Sequence, residues 1–332
     1  KQRVACVHEV GRIKRESASP IFVPERESAL LSKILKLNDG VLPEKGLVSI
    51  YRQIMSCSFH LEGGMRVGYL GPEGTWSHMA ALARFGDCVE LVPFPSFPKV
   101  FDAVERGHID YGVIPIENST DGSISQAMDL LGGSDRCLRI CAQVHQGIRN
   151  CLLANIPREE IRVIYSHPKV LGQCRDWLRQ NFPQTELVST SSTTSAARLA
   201  VAEAAKGAAA LAGAQAAELY GLKVLEADVQ DKASNVTRFA VIGRQTTVPS
   251  GNDRTTICFG VPHTPGSLVD VLSIFKNHGI NIHCIDSRPS RHTAWEYLFY
   301  IDVEGHESKP PLSDALAELH DRTPMFKVLG SY

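Results

Sequence analysis

Residues 67–77 read VGYLGPEGTWS, and this stretch sets the fold of the region around it. Its apolar start predicts a short buried strand, and its glycines and proline predict a turn into a helix at 77–85. Such a turn presents free N–H groups and the positive end of a helix dipole, which favours an anion. Thr75 and Ser77 add hydroxyl groups, with plain helix capping as the alternative role. Nucleotide binding is not supported, because the stretch contains neither GxxxxGK[ST] nor GxGxxG.

The same alternation of apolar runs and helical stretches continues to residue 244. Strands are predicted at 67–70, 109–116, 162–165 and 239–242, and helices at 77–85, 98–106, 168–180 and 194–206. This order predicts an α/β fold with a largely parallel sheet, built as one domain or as two lobes. Ligands in such folds bind beyond the carboxyl ends of the strands.

Different patterns flank this α/β region. Residues 4–62 carry apolar side chains at helical spacing and predict three helices. Residues 255–329 predict strands at 255–261, 280–287, 294–303 and 325–329 and helices at 267–278 and 312–320, the βαββαβ order of a ferredoxin-like fold. A polar stretch at 245–254 predicts a linker. We therefore expect an all-α domain at 1–64, an α/β domain at 65–246 and an α+β domain at 252–332.

Composition narrows the class of function. The 332 residues contain 35 Lys and Arg against 36 Asp and Glu, which argues against charge-driven binding to nucleic acid or to a membrane. No apolar stretch approaches the ~18 residues of a membrane span, and residues 1–20 lack the apolar core of a signal peptide. Nine cysteines without a CxxC pair indicate reduced thiols, and the histidines lack metal-ligand spacing. We expect a cytoplasmic protein that binds small molecules and holds no metal ion.

A second polar cluster follows the strand predicted at 109–116. Residues 115–123 read PIENSTDGS. Binding groups in α/β folds are commonly placed where a strand ends and the chain turns toward a new helix. The alternative is a plain turn. The candidate binding residues in this cluster are Glu117, Asn118, Ser119, Gly122 and Ser123.

A third cluster opens the strand predicted at 239–242. Residues 235–239 read NVTRF. Thr237 offers a hydroxyl that can donate to a leaving oxygen, and Arg238 offers a fixed fork of donors for a carboxylate. A surface ion pair is the alternative role for Arg238.

Together the three clusters resemble the motifs of the prephenate dehydratase family. GPEGTWS at 71–77 is similar to that family's GPxGT(F/Y)S, ENSTDGS at 117–123 to its ENSxxGS, and NVTRF at 235–239 to its NxTRF. SHP at 166–168 and QC at 173–174 also match the family's SHPQALxQC stretch, from which Lys169 and Val170 depart. The resemblance extends over about 180 residues.

This resemblance implies a two-lobed domain, like that of periplasmic binding proteins, that converts prephenate to phenylpyruvate with loss of water and CO2. It implies no cofactor. Thr237 would donate to the departing hydroxyl and Arg238 would anchor a carboxylate, with Asn235 and Phe239 beside them. The implied substrate-binding residues are Thr75, Ser77, Glu117, Asn118, Ser119, Gly122 and Ser123.

The C-terminal region resembles the ACT domain that is attached to these enzymes. GSL at 266–268 stands where that family has GAL, and DSRP at 286–289 stands where it has ESRP. The resemblance implies feedback inhibition by L-phenylalanine. The implied effector-binding residues are Gly266, Ser267, Leu268, Asn281, Ile282, Ser287, Arg288 and Pro289.

The N-terminal region resembles an AroQ-type chorismate mutase, as found in bifunctional P-proteins. The implied chorismate-binding residues are Arg3, Lys14, Arg26, Glu27, Ser58 and Glu62. That family's first helix carries a further arginine, contributed from the partner subunit, which would lie before Lys1; we expect a truncated chain rather than a degenerate domain. Intertwined mutase domains and paired ACT domains imply a homodimer or homotetramer.

Two other functions stay open from the sequence. Arogenate dehydratases carry the same motifs, although a fused mutase-like segment favours prephenate as the substrate. A non-catalytic ligand sensor would use the same two-lobed fold and an ACT domain. The pair Thr237 and Arg238 and the lack of a signal peptide favour an enzyme.

Overall fold

The computed structural model describes residues 2–17, 19–120, 122–133, 136–289 and 297–332. The chain begins with the three predicted helices, α1 (Gln2–Glu16), α2 (Pro24–Leu37) and α3 (Glu44–Leu61). In the described part of the chain, no helix is both long and apolar enough to cross a membrane.

A two-lobed α/β region follows, as predicted. The first lobe contains β1 (Arg66–Leu70), α4 (Trp76–Phe85), β2 (Glu90–Phe94), α5 (Phe97–Glu105), β3 (Tyr111–Asn118), β4 (Gly122–Ser123), α6 (Ser125–Gly132) and β5 (Arg139–Gly147). The second contains β6 (Cys151–Ala154), β7 (Val163–Ser166), α7 (Pro168–Gln173), α8 (Arg175–Asn181), β8 (Glu186–Ser189), α9 (Thr193–Ala202), β9 (Ala208–Ala212), α10 (Ala214–Tyr220) and β10 (Lys223–Glu226). The chain then returns to the first lobe as β11 (Val236–Gly243).

The prediction of a largely parallel sheet is wrong, because both lobes have mixed sheets. The first lobe has the order β2-β1-β3-β11-β5, in which β11 is antiparallel to both of its neighbours. The second has the order β10-β6-β9-β7-β8, parallel only from β9 to β8. The chain crosses between the lobes twice, and a strand that re-enters a sheet from the other lobe need not follow a parallel βαβ crossover.

Local predictions were wrong where tertiary contacts decide the structure. The helix predicted at 168–180 is two helices, because Cys174 leaves helical geometry at φ −114° and ψ 19° between α7 and α8. Its sulfur is buried. Strand β9 has the sequence AAALA, whose alanines carry little strand signal but are fully buried between two strands. Sequence analysis also missed β2, β5, β6, β8 and β10.

The helical segment is docked on the first lobe. Phe22, between α1 and α2, is fully buried in the lobe's core against Phe85 and Tyr111. Glu27 of α2 and Arg84 of α4 form a buried ion pair at 2.5 Å. These contacts join the two parts through both apolar packing and charge.

The C-terminal region has the predicted βαββαβ order. It contains β12 (Arg254–Gly260), α11 (Ser267–Asn277), β13 (Ile282–Pro289), β14 (Tyr297–Glu304), α12 (Leu312–Arg322) and β15 (Met325–Ser331), with sheet order β13-β14-β12-β15. The start of the strand predicted at 294–303 falls at 294–296, outside the described residues. One sheet face covers α11 and α12, and residues of the other face join the core of the first lobe.

The segment predicted as a linker is held in place at several points. Gln245 bonds to Tyr111 and to the Phe22 carbonyl, and the Val248 N–H donates to Glu25 of α2. Thr247 donates to the carbonyl of Ser331 in β15. The segment therefore contacts all three parts of the chain.

Candidate functional site

Residues from all three predicted polar clusters line a cleft of about 420 Å³ between the two lobes. This volume lies within the usual range of small-molecule pockets. The first lobe contributes the carboxyl ends of β1 and β3 and the N-terminus of α4, and the second lobe contributes the N-terminus of α9. Two helix N-termini facing one space favour an anionic ligand. The predicted residues that line this cleft are Thr75, Ser77, Asn118, Thr237 and Phe239.

Thr237 is held in the cleft wall by Asn118. The two residues are paired in register on β11 and β3, and Asn118 Nδ2 lies 2.8 Å from Thr237 Oγ1 and 2.8 Å from Asn235 Oδ1. The amide orientation is fixed because the Thr120 N–H must donate to Asn118 Oδ1, at 2.9 Å. Thr237 Oγ1 therefore accepts from the amide, and its own hydrogen can be donated to a bound molecule.

Residues at the start of α4 form another part of the cleft lining. Thr75 caps the helix, because its hydroxyl accepts from the His78 N–H, and the same hydroxyl donates to a carbonyl within the turn. Thr75 also lines the cleft, so it has both of the roles considered from the sequence. Ser77 is buried in the wall. The indole Nε1 of Trp76 is buried with no hydrogen-bond partner among the described residues.

Two titratable residues that the site prediction omitted also line the cleft. Lys169 is the one lysine or arginine among the described lining residues, and no carboxylate side chain is among them. Burial, reinforced by the Lys169 ammonium, lowers the pKa of His167, so its ring is neutral at pH 7. The Lys169 N–H donates to His167 Nδ1 at 3.3 Å, which leaves the ring hydrogen on Nε2. The sequence feature that could have drawn attention to Lys169 was its departure from the SHPQALxQC pattern of the family.

Arg238 does not reach the cleft. It follows Thr237 on β11, and successive residues of a strand face opposite sides of the sheet. Its guanidinium forms an ion pair with Asp302 of β14, and its Nε lies 3.1 Å from Glu117 Oε2. The structure therefore places Arg238 and Glu117 between the first lobe and the C-terminal domain. Arg238 forms an ion pair there, but the pair is largely buried and is not the surface ion pair considered from the sequence.

The remaining predicted residues shape the turn that carries Asn118. Ser119 donates to the Ser234 carbonyl and accepts from the Val236 N–H, which ties the turn to β11. Gly122, with φ +79°, and Ser123 pair back onto β3 as β4. Asn235 is buried beside Asn118 and lines a neighbouring cavity. These residues hold the cleft wall rather than form its surface.

The six residues predicted for the helical segment lie together in a second pocket. Its volume is about 260 Å³, and α1, α2 and α3 all contribute to it. Arg3 Nη2 donates to Ser58 Oγ at 2.8 Å, and Lys14 Nζ donates to Glu62 Oε2 at 2.7 Å. The lining residues predicted from the sequence are Arg3, Lys14, Arg26, Glu27, Ser58 and Glu62.

The close approach of α1 to the end of α3 depends on Gly11. A Cβ at this position would lie 2.5 Å from the Glu62 carbonyl oxygen and 2.6 Å from its Cα. No larger residue fits without moving a backbone. The approach allows Lys14, one turn further along α1, to reach the Glu62 carboxylate.

The predicted effector residues fall at two ends of the C-terminal sheet. Strands β12 and β13 run in the same direction, and Gly260 and Arg288 both lie opposite Leu298 of β14. The end of β12 is followed by α11, so one end of the sheet carries Gly266, Ser267, Leu268, Ser287, Arg288 and Pro289. Asn281 and Ile282 lie at the other end, where β13 begins.

The Arg288 side chain is turned toward the first lobe. Its Nε lies 2.9 Å from Asp286, its Nη1 lies 3.5 Å from Asp129 of α6, and its guanidinium stacks over the Tyr300 ring. The residue is 8% exposed. Arg288 therefore links the C-terminal domain to the first lobe.

Within the described parts of the chain, no group of three or more His, Cys, Asp and Glu residues is arranged to hold a metal ion. The interlobe cleft presents hydroxyl, amide and ammonium groups, and the pocket of the helical segment presents guanidinium, ammonium, hydroxyl and carboxylate groups.

Comparison with known proteins finds three family models that match successive parts of the chain. The family model for chorismate mutase type II matches residues 1–63, the model for prephenate dehydratase matches residues 67–247, and the model for the ACT domain matches residues 255–321. Fold and sites thus define a class of enzymes that joins a mutase-type helical segment, a two-lobed dehydratase and an ACT domain.

Individual relatives extend over the whole chain. The bifunctional chorismate mutase/prephenate dehydratase of Aquifex aeolicus is 40% identical over 100% of this chain and 92% of its own length. The chain belongs to the bifunctional chorismate mutase/prephenate dehydratase family.

Solved structures resemble the last two parts of the chain. The prephenate dehydratase of Arthrobacter aurescens in complex with L-Phe has 32% identity and a TM-score of 0.74 and covers 80% of this chain and 89% of its own. GqqA, a quorum-quenching acylase, has 28% identity and a TM-score of 0.73 and covers 80% of this chain and 97% of its own. Because this fold occurs with more than one activity, function must be argued from the sites.

Proposed function

We propose that this chain catalyses two consecutive reactions, the rearrangement of chorismate to prephenate and the conversion of prephenate to phenylpyruvate. The observation that carries the proposal is the pair Asn118 and Thr237 in the interlobe cleft, on a chain that also assembles all six mutase-type residues in one pocket. The full-length similarity to bifunctional relatives supports it.

In the dehydratase step, the ring carboxylate leaves as CO2 and its bonding electrons enter the ring. The ring expels its hydroxyl group, which takes up a proton and leaves as water. Aromatisation drives the reaction, so the protein must orient the substrate and stabilise the departing oxygen. Thr237 donates its hydrogen bond to that oxygen, while Asn118 holds the hydroxyl in place. The hydroxyl is a weak acid, so it stabilises the oxygen by partial transfer, and a water completes the proton delivery.

We assign recognition of a substrate carboxylate to Lys169 in place of Arg238. The substrate is a dianion, and Lys169 supplies the cationic side chain in the described lining of the cleft. The helix N-termini supply uncharged donors.

Lys169→Met is expected to raise the KM for prephenate by about 10–100-fold, because one charge-assisted hydrogen bond is lost. Lys169→Arg should recover most of the affinity. The matched control is Lys232→Met, since Lys232 lines the neighbouring cavity and not the cleft. Steady-state kinetics with prephenate measure both effects. Equal KM changes in the two methionine variants would contradict the assignment.

In the mutase step, negative charge grows on the ether oxygen of chorismate as its C–O bond breaks. Lys14 is placed to stabilise that charge, and Glu62 holds its ammonium at 2.7 Å. Arg3 and Arg26 line the same pocket and are placed to bind the substrate carboxylates.

The oligomeric state and the inhibition of the enzyme by L-phenylalanine also belong to this proposal. L-Phenylalanine acts as the inhibitor through the C-terminal domain, in line with the relative whose structure contains L-Phe. A homodimer or homotetramer is supported by large apolar side chains exposed on α1 to α3, such as Ile13, Leu37 and Ile50. The domain boundaries 1–64, 65–246 and 252–332 and a cytoplasmic location complete the proposal.

The test is phenylpyruvate formation from prephenate, and separately from chorismate, with and without L-phenylalanine. We expect product from both substrates and less product when L-phenylalanine is present. Lys14→Ala should abolish the reaction from chorismate and leave the reaction from prephenate intact. No product from prephenate would overturn the proposal, and arogenate would be the next substrate to test.

A further inference from the structure

Two cysteines face each other across the contact between the helical segment and the first lobe. Cys57 lies near the end of α3, and Cys88 lies in the loop between α4 and β2. Their Sγ atoms are 2.9 Å apart. A disulfide bond requires about 2.05 Å, so the sulfur atoms need to approach by less than about 1 Å.

The surrounding contacts hold these two segments in register. The Cys88 N–H donates to Ser56 Oγ at 3.1 Å, and Arg52 of α3 donates to the Ala83 carbonyl of α4. Gly86 has φ +73°, and a Cβ there would lie 2.5 Å from the Ser56 Cβ. The loop thus rests directly on α3, and the two thiols are kept together by hydrogen bonds between side chains and main chain that do not involve sulfur.

We propose that Cys57 and Cys88 form a reversible disulfide bond that covalently joins the mutase-type segment to the dehydratase domain. The site needs an oxidant from solution, and a low-molecular-weight disulfide such as oxidised glutathione is sufficient. Cys57 is exposed and Cys88 is half-buried, so an external disulfide meets Cys57 first.

The chemistry balances as two thiol–disulfide exchanges. The Cys57 thiolate attacks oxidised glutathione and releases one glutathione thiolate, which leaves a mixed disulfide on Cys57. The Cys88 thiolate then attacks Cys57 Sγ and releases a second glutathione. The protein loses two electrons and two protons, and one oxidised glutathione becomes two reduced molecules.

The difference in exposure sets the order of these steps, and the electrostatics at Cys88 act in the same direction. The contact with Cys57, together with burial and the neighbouring Asp87, raises the pKa of Cys88 to about 11. Cys88 is therefore a poor first nucleophile at neutral pH. Once Cys57 carries the mixed disulfide, its Sγ is the nearby electrophile that Cys88 attacks.

The bond would restrain the contact between the two catalytic parts. Closing a loop of this length removes conformational freedom from the unfolded chain and stabilises the folded state. Because Cys57 lies on α3, the covalent link fixes the position of α3 relative to the first lobe. The next residue, Ser58, lines the mutase-type pocket, so that side of the pocket is restrained as well.

The experiment exposes the full chain to oxidised glutathione under native conditions and follows it by intact mass, non-reduced peptide mapping and thermal unfolding. We expect the chain to lose two hydrogen atoms, a Cys57–Cys88 peptide to appear, and the Tm to rise by several degrees. Dithiothreitol should reverse all three changes.

Single substitutions distinguish this bond from general thiol oxidation. Cys57→Ser and Cys88→Ser should each abolish the linked peptide and the rise in Tm. Cys137→Ser, which removes another exposed thiol, is the matched control and should behave like the parent chain. A stable glutathione adduct on Cys57 with Cys88 still free, or a disulfide between two chains, would overturn the proposal.

Discussion

Thr237→Ala is expected to lower kcat for prephenate dehydration by about 10²–10⁴-fold, the loss typical of a positioned proton donor. The KM for prephenate should change little, because binding rests on Lys169, the helix N-termini and the apolar cleft walls. Thr237→Ser should retain most of the activity, since the serine hydroxyl can accept from Asn118 in the same way. Phenylpyruvate formation under substrate saturation measures the effect.

The chain contains its own control for this experiment. Chorismate-to-prephenate turnover by the same variant depends on a separate pocket, so it should match the parent protein and show that the variant is folded. Asn118→Ala should reproduce part of the loss, because Thr237 Oγ1 is then no longer held at 2.8 Å by the amide. A Thr237→Ala enzyme with normal kcat would remove Thr237 from the reaction.

The sequence predicted the strands and the helix that line the cleft beside Thr237, because the spacing of apolar residues in strands and helices is a local property. VGYLGPEGTWS forms the expected strand, turn and capped helix, and NVTRF opens the expected strand. What single-strand patterns do not reveal is which strands become neighbours. The pairing of β11 with β3, which brings Asn118 to Thr237, joins residues 119 positions apart.

The position of Arg238 was partly predictable. Adjacent residues on a strand face opposite ways, so Thr237 and Arg238 cannot both line one cleft without a local irregularity. The partner of Arg238 was not predictable, because Asp302 reaches it only after the C-terminal sheet packs on the first lobe. The contribution of the second lobe to the cleft, including His167 and Lys169, likewise depends on how the two lobes face each other.

The ion pair between Arg238 and Asp302 connects the C-terminal sheet to the wall of the cleft. Asp302 is 2% exposed and also accepts from Thr256 Oγ1 at 2.6 Å, so its carboxylate depends on Arg238 for charge compensation. Asp302 lies on β14 opposite Cys284 of β13, the strand that carries predicted effector residues at both ends. Arg238 in turn adjoins Thr237. A displacement of β13 and β14 on effector binding would therefore reach the cleft wall through this pair.

Arg238→Lys and Asp302→Asn are each expected to weaken inhibition by L-phenylalanine by about tenfold or more, within the usual range of allosteric coupling. Uninhibited kcat and KM for prephenate should stay within a few-fold of the parent values, since neither side chain lines the cleft. Both variants should also unfold at lower temperature. Asp302→Asn removes one charge of a buried ion pair and leaves the other poorly compensated. Arg238→Lys keeps the charge but replaces the planar guanidinium, which contacts both Asp302 and Glu117, with a single ammonium group. Inhibition curves and thermal unfolding measure the two effects.

Arg139→Lys provides the matched control. Arg139 bridges the same two domains through an ion pair with Glu307 at 2.5 Å. It lies at the opposite end of β5 from the residue that pairs with Thr237. If the interface between the first lobe and the C-terminal domain only stabilises the protein, all three variants should weaken inhibition in proportion to their loss of stability. If the Arg238 pair transmits the signal, Arg139→Lys should lose stability while keeping the parent inhibition curve, and the double variant of Arg238 and Asp302 should be no worse than either single one. A large rise in the KM for prephenate in Arg238→Lys with normal inhibition would instead restore Arg238 as the carboxylate anchor.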